Sequence, residues 1–155
     1  REIIEEIYNF SNANNCQIIL PSDAAVAPKL DPDINFAVKK IDGLNSSDMI
    51  LDIGPVSTKD LKEVISNSKT VFWNGPPGVF EVEPFNKATI EIANHIADLT
   101  SAGKIQSFAG GGDTVAAIEM AGVKEKFTYI STGGGALLEL LEGKQLPGLV
   151  SQNIL

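Results

Sequence analysis

Three glycine-rich stretches of this chain could do chemistry, and each follows a short apolar run. They are Val71-Phe72-Trp73-Asn74-Gly75-Pro76-Pro77-Gly78-Val79-Phe80-Glu81, Phe108-Ala109-Gly110-Gly111-Gly112-Asp113-Thr114 and Ile130-Ser131-Thr132-Gly133-Gly134-Gly135-Ala136. Each reads as a strand that ends in a turn and opens a helix. Glycine tolerates φ > 0 and lets a ligand come close to the backbone. A helix N-terminus then offers unpaired N–H groups and the positive end of its dipole. Turns of this kind gathered at one edge of a sheet form an anion site, suited above all to phosphates.

The three stretches divide the work differently. In Gly110-Gly111-Gly112-Asp113-Thr114, backbone amides would meet a phosphate while Asp113 approaches a Mg²⁺ carried on it. One carboxylate plus substrate phosphates is the usual way to hold this ion. The competing reading is a tight turn in which Asp113 or Thr114 caps the helix. In Ser131-Thr132-Gly133-Gly134-Gly135, a row of amides would stabilise charge on a transferring phosphoryl group. A plain connector competes there, although three consecutive glycines cost it chain entropy. Ser131 and Thr132 read as helix caps. In the first stretch two prolines and two glycines fix the loop path. Trp73 and Phe80 read as core. Val79 could pack on a base or sugar, and Glu81 could accept from ribose hydroxyls or stand in solvent.

These turns need a scaffold, and the rest of the chain supplies one. Ile3, Ile4, Ile7, Tyr8 and Phe10 space a helix over residues 2–13, stopped by Asn12, Asn14 and Asn15. Residues 16–20 read as a strand closed by Pro21, and 22–47 as irregular, with one short strand near 36–38. Residues 49–53 read as a strand broken by Gly54-Pro55. Ser57 and Asp60 resemble a capping box for a helix that buries Leu61, Val64 and Ile65. Further strands are expected at 70–73, 105–109 and 127–130, and further helices at 84–100, 114–121 and 136–142. Gly143 closes the last of these, and Pro147 prevents its continuation. Alternating strands and helices predict an α/β fold, a parallel sheet with helices on both faces. Ligands of such sheets bind at the carboxyl ends of the strands, where all three glycine turns fall.

Composition narrows the class. The chain has 155 residues, 43% of them hydrophobic, and a net charge of -8. That predicts one domain with a real core and no surface for nucleic acid or an anionic membrane. No apolar run reaches membrane-span length and no secretory signal is visible, so a cytoplasmic location is expected. The single cysteine, Cys16, reads as a small core residue. The P-loop pattern fails at Leu138 and Gln145, and the dinucleotide fingerprint fails at Val115. His95, the only histidine, reads as an ordinary helix residue.

Together these residues closely resemble the C-terminal, nucleotide-binding domain of phosphoglycerate kinase. The matching stretches are Leu51-Asp52-Ile53-Gly54-Pro55, Trp73 through Glu81, Gly110 through Thr114, and Ser131 through Ala136 continuing to Leu138-Glu139-Leu140-Leu141-Glu142-Gly143-Lys144 and Leu146-Pro147-Gly148. Ile19-Leu20-Pro21 with Asp23 also resembles the family. The resemblance implies a Rossmann-like three-layer αβα fold, truncated on its N-terminal side. It implies reversible, Mg²⁺-dependent phosphoryl transfer between 1,3-bisphosphoglycerate and ADP, giving 3-phosphoglycerate and ATP in glycolysis, with the phosphoglycerate held by a separate N-terminal domain. Carried over to this chain, Asn74, Gly75 and Pro76 lie along the nucleotide, and Val79 and Glu81 face the ribose. Gly111, Gly112, Asp113 and Thr114 meet the phosphates, with Asp113 the metal ligand. Gly112, Gly133, Gly134 and Gly135 present amides to the transferring group. The family form is expected to be monomeric.

There are departures. The chain begins at Arg1, in mid-helix and without an initiator Met, and reads as part of something longer. None of its twelve Lys and Arg residues occupies the family's cationic motif positions near the transferring group. Ile50 stands where many members have glycine, Leu137 where serine is common, and Ala88 in place of a usual glycine. The chain alone is therefore expected to bind nucleotide at most and not to turn over. A stand-alone, non-catalytic nucleotide-binding module is the alternative reading.

Overall fold

A computed structural model describes residues 2–131 and 133–151, apart from the Leu149 side chain. The expected first helix forms as α1 (Glu2–Ala13), and Asn15 ends it in the left-handed region with φ 51°. Its apolar stripe is not buried. Ile3, Ile4, Ile7 and Phe10 are 52–73% exposed, and Ser11 is the buried residue of the helix.

The segment after α1 corrects two expectations. Residues 16–20 form no strand, and Cys16 is exposed rather than in the core. The first strand is instead β1 (Asp23–Ala27), buried along its whole length. It pairs antiparallel with β2 (Ala37–Lys40) on one side and β3 (Met49–Ile53) on the other. The region expected to be irregular thus holds two strands, β2 lying close to the short strand read at 36–38. Burial on both faces explains the small residues of Ala24-Ala25-Val26-Ala27, which give no alternating signal to read.

α2 (Pro55–Ser66) starts on Gly54 with Pro55 in its first turn. The Ser57–Asp60 capping box does not form. Ser57 turns instead to Asp23 of β1, donating Oγ–H to Asp23 Oδ1 at 2.6 Å and its backbone N–H to the same oxygen at 2.8 Å. Ile65 is buried, Leu61 is half-buried and Val64 is exposed.

The remaining elements build the sheet that carries the glycine turns. They are β4 (Thr70–Trp73), α3 (Lys87–Ser101), β5 (Gln106–Gly110), α4 (Gly112–Met120), β6 (Tyr129–Ser131), α5 (Gly134–Leu141) and the short α6 (Pro147–Val150). Pro147 opens α6, a position where its missing N–H is no loss. β4, β5 and β6 pair in that order, all parallel. The α/β fold is therefore as expected, with an antiparallel three-stranded sheet beside the parallel one.

Strand alternation sorts the layers. Trp73, Ala109 and Ile130 face one side, where α3 and α4 bury Ile92, Ala93, Ile96, Ala97 and Ile118 against them. Trp73 stacks on Phe127 with ring centroids 6.4 Å apart. α5 lies over the opposite face, its Leu137 side chain near Gly110 and Phe72. A second cluster joins Ala25, Ala27 and Leu51 to Phe85, with Ile34, Val79 and Val82 packed around it. Among the described residues no helix is long and apolar enough to cross a membrane.

Candidate functional site

Because β4, β5 and β6 are parallel, their carboxyl ends at Trp73, Gly110 and Ser131 lie along one sheet edge. All three glycine turns start there. Two of the following helices begin earlier than the sequence suggests, at Gly112 rather than Thr114 and at Gly134 rather than Ala136. Both helices therefore open on glycine, Gly112 in α4 and Gly134-Gly135 in α5, so those amides carry no side chain.

The turns touch one another. Gly75 donates its N–H to Thr114 Oγ1 at 2.6 Å, tying the loop after β4 to the first turn of α4. Trp73 Nε1–H donates to the Gly75 carbonyl at 2.8 Å, fixing the same loop from its other side. Gly111 precedes α4 with φ 94°, and a Cβ there would stand 2.8 Å from Asn74 Oδ1. A residue with a side chain would be strained at that φ and would also displace Asn74. Gly134 packs directly on the Gly110-Gly111 backbone, where a Cβ would overlap the Gly111 nitrogen.

Asn74, Gly75, Gly111, Gly112, Asp113, Thr114, Gly133, Gly134 and Gly135 are thus held at one edge, by direct contact or by adjacency in the chain. Thr114 is 1% exposed, with its oxygen engaged by Gly75, while the Asp113 side chain is exposed in the first turn of α4. Pro76 is half-buried in the same loop. Val79 and Glu81 belong to a later part of that loop, which is tied to β3 instead. Val79 donates its N–H to the Leu51 carbonyl at 2.8 Å and packs in the second cluster, while Glu81 is exposed. Thr132 lies outside the described residues. Among those described, no group of three or more His, Cys, Asp and Glu side chains could hold a metal ion. Asp113 is a lone carboxylate in the first turn of α4, and such a donor suits a cation that brings its other oxygens with it rather than one caged by protein.

A family model described as phosphoglycerate kinase matches residues 1–144. The chain belongs to the phosphoglycerate kinase family. Curated phosphoglycerate kinases of Caulobacter vibrioides (strain NA1000 / CB15N) and Agrobacterium fabrum (strain C58 / ATCC 33970) are 48% and 47% identical to it over 151 and 148 residues, covering 97% and 96% of this chain. That of Rhodopseudomonas palustris is 50% identical over 143 residues, covering 92% of this chain. The chain spans about 37% of the length of these relatives (36% of the last). The solved phosphoglycerate kinase of Coxiella burnetii matches with a TM-score of 0.85 and 36% identity, over 92% of this chain and 36% of that one. That of Pyrococcus horikoshii OT3 matches with a TM-score of 0.75 and 32% identity, over 99% of this chain and 35% of that one.

Two buried acids in the antiparallel sheet, Asp23 of β1 and Asp52 of β3, hold the starts of α2 and α3, and neither emerged from reading the glycine motifs. Asp23, 4% exposed, accepts the Val56 and Ser57 N–H groups at 3.1 and 2.8 Å, capping α2 from another strand. Burial pushes its carboxyl up, but the bonds from Ser57 and Val56 prevail and hold it below the usual range. Asp52, 3% exposed, accepts the Ile53 N–H at 2.9 Å and the Ala88 N–H of α3 at 3.0 Å. Here burial prevails over those bonds and, with Glu91 nearby, pushes the carboxyl up to about 6. The available signal was an acid in an otherwise apolar strand, which must find a partner when buried.

Proposed function

We propose that this chain supplies the nucleotide side of the phosphoglycerate kinase reaction. One observation carries the reading: three glycine-rich turns meet at the carboxyl edge of one parallel sheet, two of them opening helices. ADP or ATP would lie across that edge. Asn74, Gly75 and Pro76 would follow the nucleotide, and Val79 and Glu81 would face its ribose. The amides of Gly111 and Gly112, with Thr114, would receive the phosphates. Gly112, Gly133, Gly134 and Gly135 would present amides to the transferring phosphoryl group, so that positioning and fixed dipoles carry the catalysis. Asp113 would hold Mg²⁺, which when bound neutralises part of the phosphate charge.

The transfer also needs groups from outside these turns. No Lys or Arg occurs within 71–81, 108–114 or 130–136, so the charge developing on the phosphoryl group lacks cations from these segments. The phosphoglycerate, as 3-phosphoglycerate or 1,3-bisphosphoglycerate, would be met by a separate N-terminal domain of the family, with this chain corresponding to part of the C-terminal one. A cytoplasmic, glycolytic role goes with this reading. Titration of the folded chain with ADP and Mg²⁺ tests the first half, and saturable binding is expected. A coupled assay of the pure chain tests the second, and detectable turnover would refute it.

A further inference from the structure

The loop that carries Val79 and Glu81 leaves β4 at Trp73 and reaches α3 at Lys87, with the second cluster beneath it. Its middle rests on one side chain. Gly78 backs onto the Asp52 carboxyl so closely that a Cβ there would overlap Asp52 Oδ1 and the Phe85 carbonyl. The next residue, Val79, is bonded to the Leu51 carbonyl at 2.8 Å. Beyond the loop, Asp52 Oδ2 accepts the Ala88 N–H in the first turn of α3 at 3.0 Å. Leu51 and Asp52 therefore grip the loop in its middle and the helix at its far end.

We propose that Asp52 is a positioning residue for nucleotide: its carboxylate seats Gly78 and anchors α3 so that Val79 and Glu81 stand in fixed relation to the Gly111–Thr114 turn. The inference rests on the nucleotide reading above. Asp52 meets Ile53, Gly78 and Ala88, and acts through the loop that lies on it.

The ionised form is the one that holds both N–H groups. Protonation places a donor on one oxygen, which then accepts poorly from Ile53 or Ala88. The carboxyl, raised by burial to about 6, crosses between these states in an accessible range. Among the described residues that line its cavity, the other charged ones are Lys87 and Glu91 of α3. β1 contributes Ala25 there, β2 Val38, and α2 Pro55 and Thr58, none of them charged.

The test compares Mg²⁺–ADP affinity of the wild-type chain and Asp52→Asn at pH 7.5 and pH 5.2, with Trp73 fluorescence of both titrated without ligand. Loss of a charge-assisted contact should weaken binding by the variant roughly ten-fold at pH 7.5. The ratio between the two proteins should fall towards one at pH 5.2, where wild type is neutral too, and protonation of ADP itself cancels in that ratio. Trp73 should report a transition near pH 6 in wild type and in His95→Gln, and none in Asp52→Asn. A ratio that stays constant with pH would overturn the proposal. So would a wild-type Trp73 signal flat through pH 6, or a transition that survives Asp52→Asn. The wild-type titration decides even if the variant does not fold. Failure of wild type to bind nucleotide at any pH would instead remove the reading on which the proposal rests.

Discussion

Replacing Gly134 by alanine should cost stability that the same change at Gly135 does not. A Cβ on Gly134 would stand 2.7 Å from the Gly111 Cα and 3.0 Å from the Gly110 carbonyl carbon, and closer still to the Gly111 nitrogen. All three are backbone atoms, so none can swing aside. Ordinary contact begins at 3.4 Å, so clearing the Gly111 Cα alone takes about 0.7 Å, and clearing the nearer nitrogen moves α5 further still from the turn that opens α4. Overpacking of this kind costs about 1–3 kcal/mol. Against it stands the gain from replacing glycine in a helix, up to about 1 kcal/mol. The overlap should win, leaving Gly134→Ala destabilised by about 1–2 kcal/mol. At Gly135 nothing lies within 4 Å of the added carbon, so the helical gain stands alone. That gain is common to both, so the two variants should differ by the overlap cost of about 1–3 kcal/mol, which separates their urea midpoints by roughly 1 M at the m-values usual for small domains. Urea unfolding followed by Trp73 fluorescence would show this. Equal midpoints would mean that α5 does not rest on the Gly110-Gly111 turn, and the convergence of the loops would be lost with it.

Other expectations follow from the same contacts. Asp23→Ala strands the Val56 and Ser57 N–H groups in a buried cap, and denaturant titration should show a loss of about 2–4 kcal/mol. The Asp23 carboxyl is lowered on folding, so its stabilisation is present above the unfolded value near 3.8 and is lost as pH falls through the lower folded value. Acid unfolding below about pH 4 should lose that component in the variant. Asp52 has the opposite sign. Raised from 3.8 to about 6, its contribution is fully present below 3.8 and is lost as pH rises through 6, a swing of about 3 kcal/mol. Stability measured between pH 4 and 6.5 should therefore be flatter in Asp52→Asn than in wild type. Thr114→Val keeps the shape of the side chain but removes the acceptor for Gly75 N–H, and should cost about 1 kcal/mol in the same unfolding assay.

How far the fold could be read depended on where a signal was local. β4, β5 and β6 were legible because each apolar run ends in its own glycine turn, and their parallel pairing followed from the helices between them. β1 was not, because its residues are small, headed by an acid and buried on both faces, so no alternation marks them. Residues 16–20 show the converse: an apolar run becomes a strand only if another strand is there to pair with it. The cap of α2 is not legible locally, because Asp23, its acceptor, lies more than thirty residues earlier in the chain. At the site, the residue types of the three turns were visible in sequence, and so was their common edge. The Gly75–Thr114 bond, the seating of Gly134 on Gly111 and the bracing by Asp52 were not, since each joins segments distant in the chain.

On the reading proposed above, these turns form a site for a nucleotide with its metal. Calorimetric titration of the folded chain with ADP, with Mg²⁺ and with the metal chelated, beside Asp113→Ala, tests it most directly. Wild type should bind saturably in Mg²⁺, Asp113→Ala should bind more weakly, and the difference between the two should vanish when the metal is removed. No binding by a chain shown to be folded, or equal affinity of both proteins in Mg²⁺, would contradict it.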